Sequence, residues 1–133
     1  MMKLTKHSQE QNGNQAGIAL KAVLNIFDKW GCSSTEKQAV LGMTPSSFFR
    51  NAKNPLSAKL SHDQVERISY VLNIHQALRM VFSNKENIYG FMSMENNNPY
   101  FNGNTPLSIV ATGAFGSLYE VFKRVDVMRG GQW

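Results

Sequence analysis

Thr44, Ser46, Ser47, Arg50, Asn51 and Lys53 crowd into one short segment, and their side chains carry the chemistry of nucleic-acid recognition. Small hydroxyls and an amide near the start of a helix suit phosphate oxygens and base edges. A guanidinium one turn further on serves either, and Lys53 adds a phosphate contact just beyond it. Other chemistry is not spelled out. His7, His62 and His75 are scattered, and no His/Cys pair has metal-ligand spacing. Cys32 follows an expected helix end with no neighbour to activate it, which predicts a buried or inert thiol. Thr112-Gly113-Ala114-Phe115-Gly116-Ser117 fits neither the Walker nor the dinucleotide-binding loop. The acidic residues are too dispersed to pair. The sequence therefore offers no catalytic residue, no metal ligands and no cofactor site, and an enzyme is unsupported.

The segment reads as a helix-turn-helix over residues 34–52. Leu20, Val23, Phe27 and Trp30 recur at helical spacing, and Gly31 ends that helix. Ser33 or Ser34 caps a second helix running to about Leu41. Gly42 supplies the turn, since glycine accepts a left-handed backbone. Thr44 caps the third helix and Pro45 fits its first position. Leu41, Met43 and Phe48 would pack this helix inward, leaving Thr44, Ser46, Ser47, Arg50 and Asn51 toward solvent. An ordinary helical hairpin has the same pattern, and Gln38 stands four before Gly42, where a helix-turn-helix usually has a small residue.

The stretch 53–59 reads as a loop stopped by Pro55. Ser61 and Gln64 form a capping-box pair opening the longest helix, roughly 62–82, with apolar residues on two faces. Such a helix is usually sandwiched between layers. A short helix runs from Ser83 through Ile88 to Phe91, and a turn-rich stretch covers 95–104. Thr105 and Pro106 open another short helix, and a last one spans 115–128 before Gly130-Gly131. No alternating strand pattern or repeat stands out, so the expected fold is all-α. Residues 1–14 are polar and read as a flexible arm, 15–60 as the helix-turn-helix unit, and 61–133 as a connecting helix with a C-terminal helical domain.

The apolar fraction of 42% allows a packed core. No apolar run approaches the ~20 residues of a membrane helix. The first seven residues lack the apolar stretch of a secretory signal. With a single cysteine, this suggests a reducing compartment, the cytoplasm in a bacterial cell. Net charge is +5. Residues 1–60 hold eight basic and three acidic side chains, whereas 61–133 hold six of each. All surplus positive charge thus lies in the first half, which suits a polyanion. A merely basic soluble surface would look the same.

The second half resembles a known family. Asn98-Pro99-Tyr100-Phe101-Asn102-Gly103-Asn104-Thr105-Pro106-Leu107 is followed by Thr112-Gly113, then by Val121-Phe122-Lys123-Arg124-Val125 and Gly130. This order resembles the toxin-binding domain of Xre-type (MbcA/ParS/Xre) antitoxins from RES–Xre toxin–antitoxin modules. Gly103, Pro106 and Leu107 match the family's turn into a helix, and Gly113 or Gly116 its later break. The family's usual Trp-Leu pair stands here as Phe91-Met92. The helix-turn-helix and the Leu60-Ser61 start of the long helix also resemble these antitoxins, so the likeness covers about 17–133.

The resemblance implies a division of labour. The N-terminal unit would bind operator DNA as a homodimer on a pseudo-palindrome, repressing its own operon. The C-terminal unit would sterically block a RES-domain toxin, an enzyme that consumes NAD. Tyr100, Phe101, Arg124, Arg129, Gln132 and Trp133 are the exposed candidates for the toxin surface, while Leu107, Phe122 and Val125 read as core. Trp133 on its diglycine hinge is either a loose end or an anchor for a partner's pocket. Two other readings stay open: a stand-alone helix-turn-helix regulator whose C-terminal half only dimerises, and a small enzyme.

Overall fold

The computed structural model describes the backbone of residues 6–130 and the side chains of residues 15–130. Within them the protein is all helical. Seven α-helices follow in order: α1 (Lys6–Trp30), α2 (Ser34–Leu41), α3 (Pro45–Lys53), α4 (His62–Val81), α5 (Lys85–Gly90), α6 (Pro106–Val110) and α7 (Phe115–Met128). Two 3-10 turns, Pro55–Ser57 and Phe91–Ser93, join them. α1 begins before the expected boundary. Its backbone is helical from Lys6, so 6–14 continue the helix instead of forming a separate arm, and residues 1–5 lie outside the described residues. Lys6, Gln9, Glu10 and Gln11 are good helix formers, whereas Asn12, Gly13 and Asn14 are poor ones, so composition alone does not announce this extension.

Side-chain caps fix most helix starts. Ser33 and Glu36 form a capping box on α2, and Ser61 and Gln64 form one on α4. Thr44, Asn84 and Thr105 cap α3, α5 and α6. Each satisfies N–H groups that a helix end leaves without partners. Pro45 and Pro106 sit at first positions, where no N–H is needed.

α4 lies at the centre. Ile68, Val71, Ile74, Ala77 and Leu78 are buried along it. It packs on α1 on one side and on α7 on the other, with α2 and α5 touching it as well. Leu20, Val23, Phe27 and Trp30 of α1 join Val40, Leu41 and Phe48, and also Leu118, Val121 and Val125 of α7, in one apolar cluster. The expected sandwich is therefore present, and the two halves of the chain share a core.

The turn-rich stretch folds on itself. Asn96 and Asn98 accept backbone N–H groups of Asn98 and Tyr100 at 2.9 and 3.2 Å, and Gly103 N donates to Asn96 O at 2.8 Å. Asn102 and Gly103 take positive φ, 50° and 85°. This closure turns Phe101 inward, fully buried beside Phe91 and Tyr100. Phe101 was expected at the surface; burying its ring yields more than exposing it, and the asparagines supply the turn that allows it.

Arg67 of α4 holds three parts together. Its Nε donates to Asp63 at 2.8 Å. Its Nη1 donates to the carbonyls of Val40 at 3.3 Å and Gly113 at 2.9 Å. The side chain crosses Gly42, whose missing Cβ would stand 3.0 Å from Nε. A second close approach lies at Gly17 of α1, where a Cβ would stand 2.7 Å from Pro55 O and 2.8 Å from Leu56 Cα.

Arg67→Ala is expected to lower unfolding free energy by about 2–3 kcal/mol in urea titrations, because it orphans two carbonyls. Asp63→Asn should cost less than about 1 kcal/mol, since Asp63 is largely exposed. Gly17→Ala should destabilise by about 1–3 kcal/mol despite alanine's better helix propensity, because backbone atoms must move apart. A melting temperature unchanged by Gly17→Ala would contradict that close contact.

Candidate nucleic-acid interface

α2 and α3 meet across a tight turn. Gly42 adopts φ 65° and closes α2, and Met43 N donates to Gln38 O at 3.0 Å. This is the left-handed helix stop that glycine makes possible. Leu41, Met43 and Phe48 are buried and hold α3 against the core. Gln38 is only part-buried, so its length is accommodated at the edge of the packing.

The opposite face of α3 is open. Thr44, Ser46, Arg50 and Lys53 are exposed and Ser47 is partly so. Asn51 is not: it is buried, three residues after Phe48 and therefore on the inward side of the helix. Its Nδ2 donates to Ser47 Oγ at 3.4 Å and approaches Met43 Sδ at 3.9 Å. The expected solvent-facing amide is thus a packing residue that positions Ser47.

The structure adds residues that the sequence reading left out. A groove of about 410 Å³ runs beside α3, lined by Arg50, Asn51, Asn54, Ser57 and Lys59. Asn54 Nδ2 donates to Ser57 Oγ at 3.2 Å, bracing its far wall. Phe49 also faces outward, more than half exposed. The basic residues at the ends of the 53–59 loop were a signal for the groove; its shape comes from the Pro55–Ser57 turn docking on α1, which no local pattern announces.

The electrostatics favour an anion here. Among the described residues, Arg50, Lys53 and Lys59 enter no ion pair, as is also true of Lys21, Lys29, Arg79, Lys85 and Lys123, whereas Lys37, Arg67, Arg124 and Arg129 each hold a carboxylate. No Asp or Glu occurs between Lys37 and His62. Three uncompensated cations on one outward helix and the turn after it form a positive ridge.

A profile of the antitoxin Xre-like helix-turn-helix domain matches residues 13–73, which take in this ridge and the first half of α4. An uncharacterized protein, y4oB of Sinorhizobium fredii, is 31% identical over 112 residues, 84% of each chain. The chain belongs to the Xre-like antitoxin family. No solved structure matches it significantly. Its helix-turn-helix is that of a DNA-binding antitoxin or regulator, and the likeness to the relative spans more residues than the domain alone.

Among the described residues, the expected toxin-facing residues of this Xre-like antitoxin do not form one patch. Arg124 stacks 4.7 Å from the Tyr100 ring centroid and pairs with Glu120 at 3.7 Å. Tyr100 is partly buried; burial, then Glu120, push its phenol above the ordinary range. Arg129 lies on the other flank of α7, paired with Asp126 at 2.6 Å and touching Met80 of α4. Phe101 is buried, and Gln132 and Trp133 lie outside the described residues. Burial first, and Glu36 next, push the Cys32 thiol up to about 12, which leaves it protonated and unreactive near neutrality. Among the described residues no group of three His, Cys, Asp or Glu could hold a metal ion, and no helix is long and apolar enough to cross a membrane.

Arg50→Ala is expected to weaken binding to duplex DNA and to reduce the slope of log affinity against log salt by about one unit. Lys59→Ala should do the same. Asn51→Ala should instead lower the melting temperature. Fluorescence anisotropy at several salt concentrations, alongside thermal melts, separates the two outcomes.

Proposed function

We propose that this protein is the antitoxin of a type II toxin–antitoxin module, binding operator DNA through α3 and blocking a RES-domain toxin through its C-terminal half. The observation that carries the DNA half is the positive ridge of Arg50, Lys53 and Lys59 within a domain matched to Xre-like antitoxins. α3 would lie in the major groove with Thr44, Ser46, Ser47 and Arg50 toward bases and phosphates, and Lys53 and Lys59 on the backbone. Two copies on a pseudo-palindrome would repress the operon. No residue of the chain is assigned a catalytic role. Both partners, DNA and an NAD-consuming enzyme, place its work in the cytoplasm.

The toxin half rests on the 98–107 turn and on α7. Steric coverage of the toxin's active-site entrance would follow, with Tyr100, Arg124, Arg129 and the segment ending in Gln132 and Trp133 nearest the partner. A specific observation favours a second reading. Tyr70 of α4 sits at the centre of a cluster with Phe115, Tyr119 and Phe122, and Tyr119 remains exposed. A second copy could cover this aromatic seam, in which case the C-terminal half only dimerises.

Co-expression with the product of the adjacent gene distinguishes them. A stable complex that loses NAD-consuming activity is expected. A neighbour that is no toxin, with the chain purifying alone as a dimer, would favour the stand-alone regulator. Within the antitoxin reading, Arg50→Ala should weaken operator binding and leave neutralisation intact, and deletion of Gly130 to Trp133 should do the reverse.

A further inference from the structure

Phe48 and Phe49 are neighbours with opposite fates. Phe48 is 4% exposed and Phe49 is 55% exposed. Their rings meet edge-on, 5.3 Å between centroids at 71°, so the buried ring props the outer one. Ser46 lies three residues before Phe49 and Lys53 four after it, which places all three on one outward face of α3, with Arg50 beside them. A phenyl ring set among a hydroxyl, a guanidinium and an ammonium touches the core only at its edge and leaves more than half of its surface to solvent. An apolar protein pocket closing over it would also have to desolvate cations that have no carboxylate partner.

A DNA major groove meets both demands. Its walls are phosphates, and its floor carries one apolar group, the C5-methyl of thymine, against which phenylalanine packs. We infer that Phe49 is a specificity-determining residue whose ring packs on a thymine methyl group in the bound duplex. The inference rests on the DNA-binding reading above and adds to it the base that α3 selects. Arg50 and Lys53, flanking the ring, hold the phosphates that bring it into register.

The full-length protein is titrated into the duplex that precedes its own coding sequence, synthesised once with thymine and once with uracil throughout. Wild type is expected to prefer the thymine duplex by about fourfold for each methyl group covered. Phe49→Ala should bind both duplexes equally, at the affinity wild type shows for uracil, with an unchanged melting temperature. Phe49→Leu, which keeps an apolar side chain there, should retain part of the preference. The comparison is a double-mutant cycle, so any general effect of uracil on duplex shape cancels.

Equal binding of the two duplexes by wild type, or an undiminished preference in Phe49→Ala, overturns the inference while DNA binding stands. So does a Phe49→Ala protein that loses both duplexes alike and sediments as a smaller species, since the ring would then cover a second copy. Failure of wild type to bind either duplex overturns the DNA-binding reading itself.

Discussion

The guanidinium of Arg67 is the contact on which the arrangement turns. A buried cation is tolerable only when its donors are used, and here they reach a carboxylate and two backbone carbonyls. One carbonyl belongs to Val40 near the end of α2, the other to Gly113 just before α7. α4 thus ties the turn of the helix-turn-helix to the C-terminal helices through one side chain. Gly42 leaves room for that side chain as well as making the turn, so a single small residue serves the backbone and the packing at once. The Ser93 hydroxyl, donating to the Trp30 carbonyl, makes a second tie between the halves.

Much of the fold was legible in the chain because the signals are local. Helical spacing in 20–30, the Ser61–Gln64 pair and the Thr-Pro starts at 44–45 and 105–106 each act over one turn. α7 matches its expected range of 115–128. What escaped is long-range. Gly17 looks like a weak point in a helix until Pro55 and Leu56 are seen against it. Phe101 looks like a surface aromatic in a polar loop until the side chains of Asn96, Asn98 and Asn104 close that loop around it.

The residues of α3 divide along the same line. That Arg50, Lys53 and the hydroxyls of Thr44 and Ser46 face outward is legible from position, because an outward helical face needs only spacing to define it. Asn51 has the same chemical type but the wrong phase. Three residues after the buried Phe48, it falls on the inward side of the helix. Phe49 has the same side chain as its neighbour Phe48, and only the packing shows that one ring faces out while the other is buried. In the C-terminal half, Arg124 and Arg129 are five residues apart and fall on opposite flanks of α7.

The central position of α4 has a bearing on turnover. Any opening wide enough to admit a protease to either end uncovers the helix that both ends are built upon. Degradation in the cell would then not leave half a molecule competent on its own. The protein's lifetime would be a single quantity, and both of its surfaces would disappear on the same clock.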